Sequence, residues 1–176
     1  MKRCWLSILI LAAGLAFAAY VTGSGFLSLL ELPGFIIAVV TPLLFVTILF
    51  GFKETCRAFT ILRKKENKHD TLLTALAFFK AYGEATWIST VIAIFTVGIG
   101  ILSNMEDKAA IGPNLALALS ALIYCGVIQL AVVIPYTVLI HKQLGNSKIR
   151  GDMLSLFGSL FGVIFVFLLL FVIISF

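Results

Sequence analysis

This sequence has little charge. Only 12% of its 176 residues are Asp, Glu, Lys or Arg, where a soluble domain carries about one quarter. Hydrophobic residues make up 61% and the mean hydropathy is +1.15, so a water-soluble globule is excluded. Cysteine and histidine are scarce too. Cys4, Cys56 and Cys125 form no CxxC, and Cys125 sits within an apolar run, so neither a disulfide framework nor a thiolate metal site is implied. His69 and His141 stand alone, without metal-ligand spacing. Nucleotide-binding loops, Ser–His–Asp sets and paired carboxylates are missing, so the chain is not expected to be an enzyme or to need a cofactor or metal. The net charge of +5 comes without an aromatic-interleaved basic patch, and nucleic acid is not an expected partner.

What is there is apolar length. Five stretches, roughly 4–22, 34–52, 85–103, 113–140 and 154–176, contain no Asp, Glu, Lys or Arg. A hydrocarbon core about 30 Å thick takes roughly 20 residues of helix at 1.5 Å rise each. Backbone groups in lipid must bond within their own segment, and the alternation of a membrane barrel is absent. The fold class read from this is an all-α integral membrane protein with five transmembrane helices. The start, "MKRCWLSILILAAGLAFAA", also has the order of a signal peptide, basic then apolar then small; the preferred reading is an uncleaved first helix.

Orientation follows from the bases. Twelve of the thirteen Lys and Arg precede the first stretch or lie in 53–84 and 141–153, leaving Lys108 on the other side. The positive-inside rule puts the N-terminus and the 53–84 loop in the cytoplasm and the C-terminus outside. The same asymmetry explains the net charge and allows attraction to anionic membrane lipids.

Proline marks the interruptions. Pro42 falls near the middle of the second stretch and Pro135 near the end of the fourth; each lacks an N–H and is expected to kink its helix. Pro113, after Gly112, suits the first turn of the fourth helix. The loop 53–84 has Phe59, Leu62, Leu72, Leu73, Leu76 and Phe79 at helical spacing. It reads as two amphipathic pieces hinged around 63–70 that extend the second and third helices and pack on each other. Residues 143–153 are a short basic linker.

The third and fourth stretches have unlike faces. Thr86, Ser89 with Thr90, Ala93, Thr96, Gly100 and Ser103 recur at steps of three and four, opposite Ile88, Ile92, Phe95 and Ile99. On the fourth, Ala118, Ala121, Cys125, Gln129 and Val132 make a small or polar stripe. Small-residue helix packing and a polar interior both fit such stripes. Gln129 favours the second, because a buried amide needs partners. Ser120, Ala121, Cys125 and Gln129 are expected to face a pore or an adjoining subunit. No Asp, Glu, Lys or Arg lies at depth in any stretch, so this chain alone is no complete proton relay.

Four stretches, taken in order, resemble the MotA/TolQ/ExbB stator superfamily. "FLSLLELPGFIIAVVTPLLFVTILFGF" is similar to the segment of the four-helix, MotA-type members in which an acidic residue, an apolar one and Pro open the second helix. "GEATWISTVIAIFTVGIGIL" resembles "GLLGTVxGLI", with Ser89-Thr90-Val91 over Gly-Thr-Val. "IGPNLALALSALIYC" resembles "lGpxlAxALltTlYG", and "VVIPYTVLI" the closing Pro and helix extension. The resemblance covers about residues 26–142.

The resemblance implies a bacterial inner-membrane homopentamer, with a MotA/ExbB-like domain at 1–142 and an additional segment at 143–176. Helices three and four would line a pore around two copies of a MotB/TolR/ExbD-type partner that carries a membrane Asp. Proton flow would then turn ring against core. Thr86, Ser89, Thr90, Ala93, Thr96, Ala118, Ala121, Leu122, Cys125 and Gln129 become the pore-lining set, and Pro42 and Pro135 the kinks. Thr90 takes the pore Thr of helix three and Pro135 the closing Pro. Three features depart from the pattern. Leu122 stands where the family has a fourth-helix Thr, the cytoplasmic loop is shorter than in flagellar stators, and the fifth helix is additional. A ring-forming structural protein without conduction, and a small transporter, are the rival expectations.

Overall fold

The computed structural model describes residues 12–13, 32–61, 69–103 and 108–145, the first three of the last stretch by backbone alone. The expected first and fifth spans, 4–22 and 154–176, lie outside these apart from residues 12–13, which are helical. Four helices organise the rest. Helix α1 runs Leu32–Phe50, α2 Phe52–Thr60 and α3 His69–Ser103, while α4 continues unbroken through Lys108–Ile128, Gln129–Val133 and Ile134–Gln143. No strand occurs among the described residues.

Among the described residues three helices are long and apolar enough to cross a membrane: Leu32–Phe50, His69–Ser103 and Ile111–Gln143, of mean hydropathy 2.4, 2.0 and 2.4. They correspond to the second, third and fourth apolar stretches. At 1.5 Å per residue, α3 is about 50 Å long and exceeds a hydrocarbon core by about 20 Å. The second amphipathic piece of the 53–84 loop is therefore the first part of α3 itself. The first piece does not continue α1. It is α2, set off by Gly51 at φ 85° and ψ 147°, a backbone conformation that side chains with a Cβ resist.

The prolines act one turn upstream of themselves. Residues Ile36–Val40 before Pro42, and Gln129–Val133 before Pro135, take π-helical register. Thr41 N–H reaches back to Ile36 O and Ile134 N–H to Gln129 O, five residues instead of four. Each ring clashes with the carbonyl four residues before it, and inserting one residue into the turn moves that carbonyl aside. Pro113 lies inside α4 rather than in its first turn, because the helix already begins at Lys108; the cost is one ladder bond near an end.

Among the described residues three buried clusters hold α1, α3 and α4 together. At one end Val46, Ala58, Ile61, Leu72, Phe78, Phe79, Tyr82, Val133 and Ile140 form a large core with edge-on aromatic contacts. At the other end Ile94, Val97 and Ile101 pack on Ala118. Between them Ala38, Ala93 and Ala121, one alanine from each helix, meet at the centre. Only methyl-sized groups let three helix axes approach this closely. The outward faces are apolar: Ile88, Ile92, Phe95 and Ile99 on α3, and Leu44, Phe45, Ile48 and Leu49 on α1, are all exposed. A patch this large requires a cover of lipid or protein.

Candidate membrane-buried polar site

Hydroxyls come first along the α3–α4 seam. Thr86 Oγ1 donates to Tyr82 O at 2.7 Å, and Thr90 Oγ1 donates to Thr86 O at 2.8 Å. Each hydroxyl thus spends its proton on its own helix, four residues back, as Thr does in an apolar setting. Both side chains are fully buried within one chain. Across the seam, on α4, the Cys125 thiol is also fully buried.

One turn further along α4 the Gln129 amide crosses to α3. Its Nε2 donates to Gly83 O at 2.8 Å, while its Oε1 is buried and, among the described residues, makes no hydrogen bond. This contact exists because Gly83 has no side chain: a Cβ there would meet Val133 Cγ1 at 3.0 Å and Gln129 Oε1 at 3.3 Å. Gln129 also opens the π-helical turn before Pro135, so the proline and the amide shape the same stretch of α4.

A second polar contact joins α1 to α3. Ser89 Oγ donates to Ile37 O at 2.6 Å. In the π register set by Thr41 N–H on Ile36 O, the next carbonyl, Ile37 O, falls to the nitrogen of Pro42, which has no hydrogen. Ser89 supplies the missing donor. Beside it a cleft of about 560 Å³ opens between α1 and α3, lined by Thr41, Pro42, Ser89, Ala93 and Thr96 among apolar side chains.

The ten residues expected to line a pore therefore divide. Thr86, Thr90, Ala118, Ala121, Cys125 and Gln129 are buried within the single chain, in or beside the α3–α4 seam. Ser89, Ala93 and Thr96 border the α1–α3 cleft, and Thr96 is exposed. Leu122, half-buried, packs against the Ile94–Ala118 cluster. Ser120 is buried and faces α1, where a Cβ added to Gly34 would clash with its hydroxyl.

Thr96 and Ser103 leave the stripe for a geometric reason. The positions chosen on α3 advance about 3.4 residues per turn, whereas a helix turns every 3.6. Over ten residues the shortfall is about 80°, which carries Thr96 out of the seam. The buried line instead runs Thr86, Thr90, Ala93, Val97 and Ile101.

Two of these features escaped the sequence reading. Gly83 carried no visible signal, since its role appears only with Gln129 beside it. The Ser89–Ile37 contact had a partial signal, a proline five residues beyond a carbonyl within a membrane span. Among the described residues no group of three His, Cys, Asp or Glu converges as a metal site. Comparison with known proteins finds no matching family model, no similar curated protein and no similar solved structure.

Proposed function

We propose that the chain is a ring-forming subunit of a stator-type membrane complex, in which a pentamer surrounds a MotB/TolR/ExbD-type partner and proton flow moves that partner. The observation that carries this reading is chemical. Along α3 and α4 a hydroxyl, thiol and amide series, Thr86, Thr90, Cys125 and Gln129, occurs in spans that contain no Asp, Glu, Lys, Arg or His between residues 85–103 and 111–140. Such groups pass hydrogen bonds but hold no proton, so a carboxylate must come from a second protein. The four family-like stretches, in order, support the same reading. An inner-membrane location, with the N-terminus in the cytoplasm and the C-terminus outside, belongs to this proposal and rests on the distribution of Lys and Arg.

One observation favours a second reading, a ring-forming scaffold that conducts nothing. Thr86, Thr90 and Cys125 are each 0% exposed in the single chain. A hydroxyl lining the pore of a ring has an open side, and these have none.

Native mass spectrometry of the complex, extracted gently from its own membrane, tests both. Five copies holding two of a small protein with a membrane Asp would support the stator. A bare ring would favour the scaffold, and a monomer would remove both.

A further inference from the structure

Helix α2 does not run on from α1. Phe50 and Phe59 both touch the ring of Phe78, with centroids at 5.7 and 5.8 Å. Nine residues of straight helix turn about 900°, which puts two such side chains on opposite faces about 13 Å apart along the axis. One ring cannot then meet both. The turn at Gly51 resolves this by folding α2 across α3 at the level of Phe78, where α1 ends. Phe59 is held there by Phe79 and Tyr136 as well, and Tyr136 OH donates to Phe59 O at 3.5 Å.

With Thr55, Ala58 and Ile61 turned inward, the outer face of α2 is a stripe of Phe52, Lys53, Cys56, Arg57 and Thr60. Phe52 is 75% exposed at the end nearest the span. Lys53 and Arg57 stand one turn apart on the same face. Among the described residues the Arg57 side chain is engaged only by Glu54, at 3.3 Å across an exposed pair, an interaction too weak to withhold it from another anion. Aromatic and basic side chains on the outer face of a helix lying across the end of an apolar bundle match the boundary between acyl chains and head groups.

We propose that α2 is an interfacial helix that binds anionic phospholipid. Phe52 seats at the acyl boundary, and Lys53 and Arg57 contact head-group phosphates of the leaflet at this end of the bundle. Charge complementarity chooses lipid over a second copy of the chain, whose matching stripe would set base against base. Identifying the leaflet as cytoplasmic rests on the orientation proposed above; the lipid site does not.

The test uses the full chain in vesicles of phosphatidylcholine and of an equal mixture with phosphatidylglycerol. Cys4→Ser leaves exposed Cys56 as the position to label with a fluorophore, because Cys125 is fully buried. The expected result is quenching by a head-group spin label, stronger with phosphatidylglycerol, and poor access for aqueous iodide. In native mass spectra the unlabelled protein should retain phosphatidylglycerol over phosphatidylcholine. The K53Q/R57Q variant should lose that preference by roughly twenty- to thirtyfold, at about fivefold for each base. Free access of iodide to Cys56 would overturn the proposal. So would protection that ignores lipid composition and follows oligomerisation, which would mean a protein covers the stripe. Unchanged lipid retention in K53Q/R57Q would overturn it as well.

Discussion

Ser89 and Ile37, 52 residues apart in sequence, are joined at 2.6 Å by a hydroxyl donating to a backbone carbonyl that Pro42 leaves without a partner. The contact ties α1 to α3 beside the three-alanine junction, against which Ile37 packs, and it explains how a proline is tolerated within a span. Ser89→Ala should lower stability by about 1 kcal/mol, between the small average of hydrogen bonds in membrane bundles and the cost of an orphaned buried carbonyl. Pro42→Ala restores an N–H to that turn, so the serine should cease to matter in its presence. A double-mutant cycle of detergent unfolding measures the coupling, and additive effects would show that the two residues act independently.

Gly83 and Gln129 make the second cross-helix bond, and here the constraint is steric. A methyl group at position 83 would press on Val133 Cγ1 and on the amide. Gly83→Ala should destabilise by about 1–3 kcal/mol, as overpacking does, and Val133→Ala should recover part of it. Thermal unfolding of the two single variants and the double decides this; a harmless Gly83→Ala would mean that α3 and α4 separate easily.

Thr90→Val separates function from assembly. The hydroxyl donates to Thr86 O, which lies within a helical ladder, and valine nearly matches threonine in shape. The ring, observed by native mass spectrometry, should persist. On the stator reading proton-driven work is abolished, whereas on the scaffold reading nothing changes, and a flux assay with the partner distinguishes the two.

Gly51→Ala tests the turn into α2. At φ 85° an added Cβ is strained by about 1–3 kcal/mol, although no neighbouring atom among the described residues lies within 4 Å of the position it would take. The expected outcome is a lower unfolding midpoint together with altered thiol reactivity at Cys56 as α2 shifts. An unchanged midpoint would mean that the turn adopts another conformation at no cost.

The second, third and fourth spans, the helical extension below the third, and the disturbance at Pro42 and Pro135 were legible in the sequence. They depend on local quantities: apolar length against bilayer thickness, apolar spacing, and a missing N–H. Which small and polar residues meet was less legible. On α3 Thr86, Thr90 and Ala93 lie on the buried line, while Thr96 and Ser103 turn away from it, because a small difference in helical period accumulates with distance.

The sequence by itself determined that this is a helical membrane chain with no Asp, Glu, Lys or Arg at depth in its apolar stretches. That follows from composition and order alone, since lipid admits few backbone solutions. Only the tertiary structure decided that Ser89 serves Ile37, that Gly83 makes room for Gln129, that Ser120 faces α1, and that α2 folds back across Phe78. Each of these joins residues on different helices, and each turns on ångström-scale approach between backbones. Residue type says what a side chain can offer, while the packing of neighbouring helices selects which atom receives it.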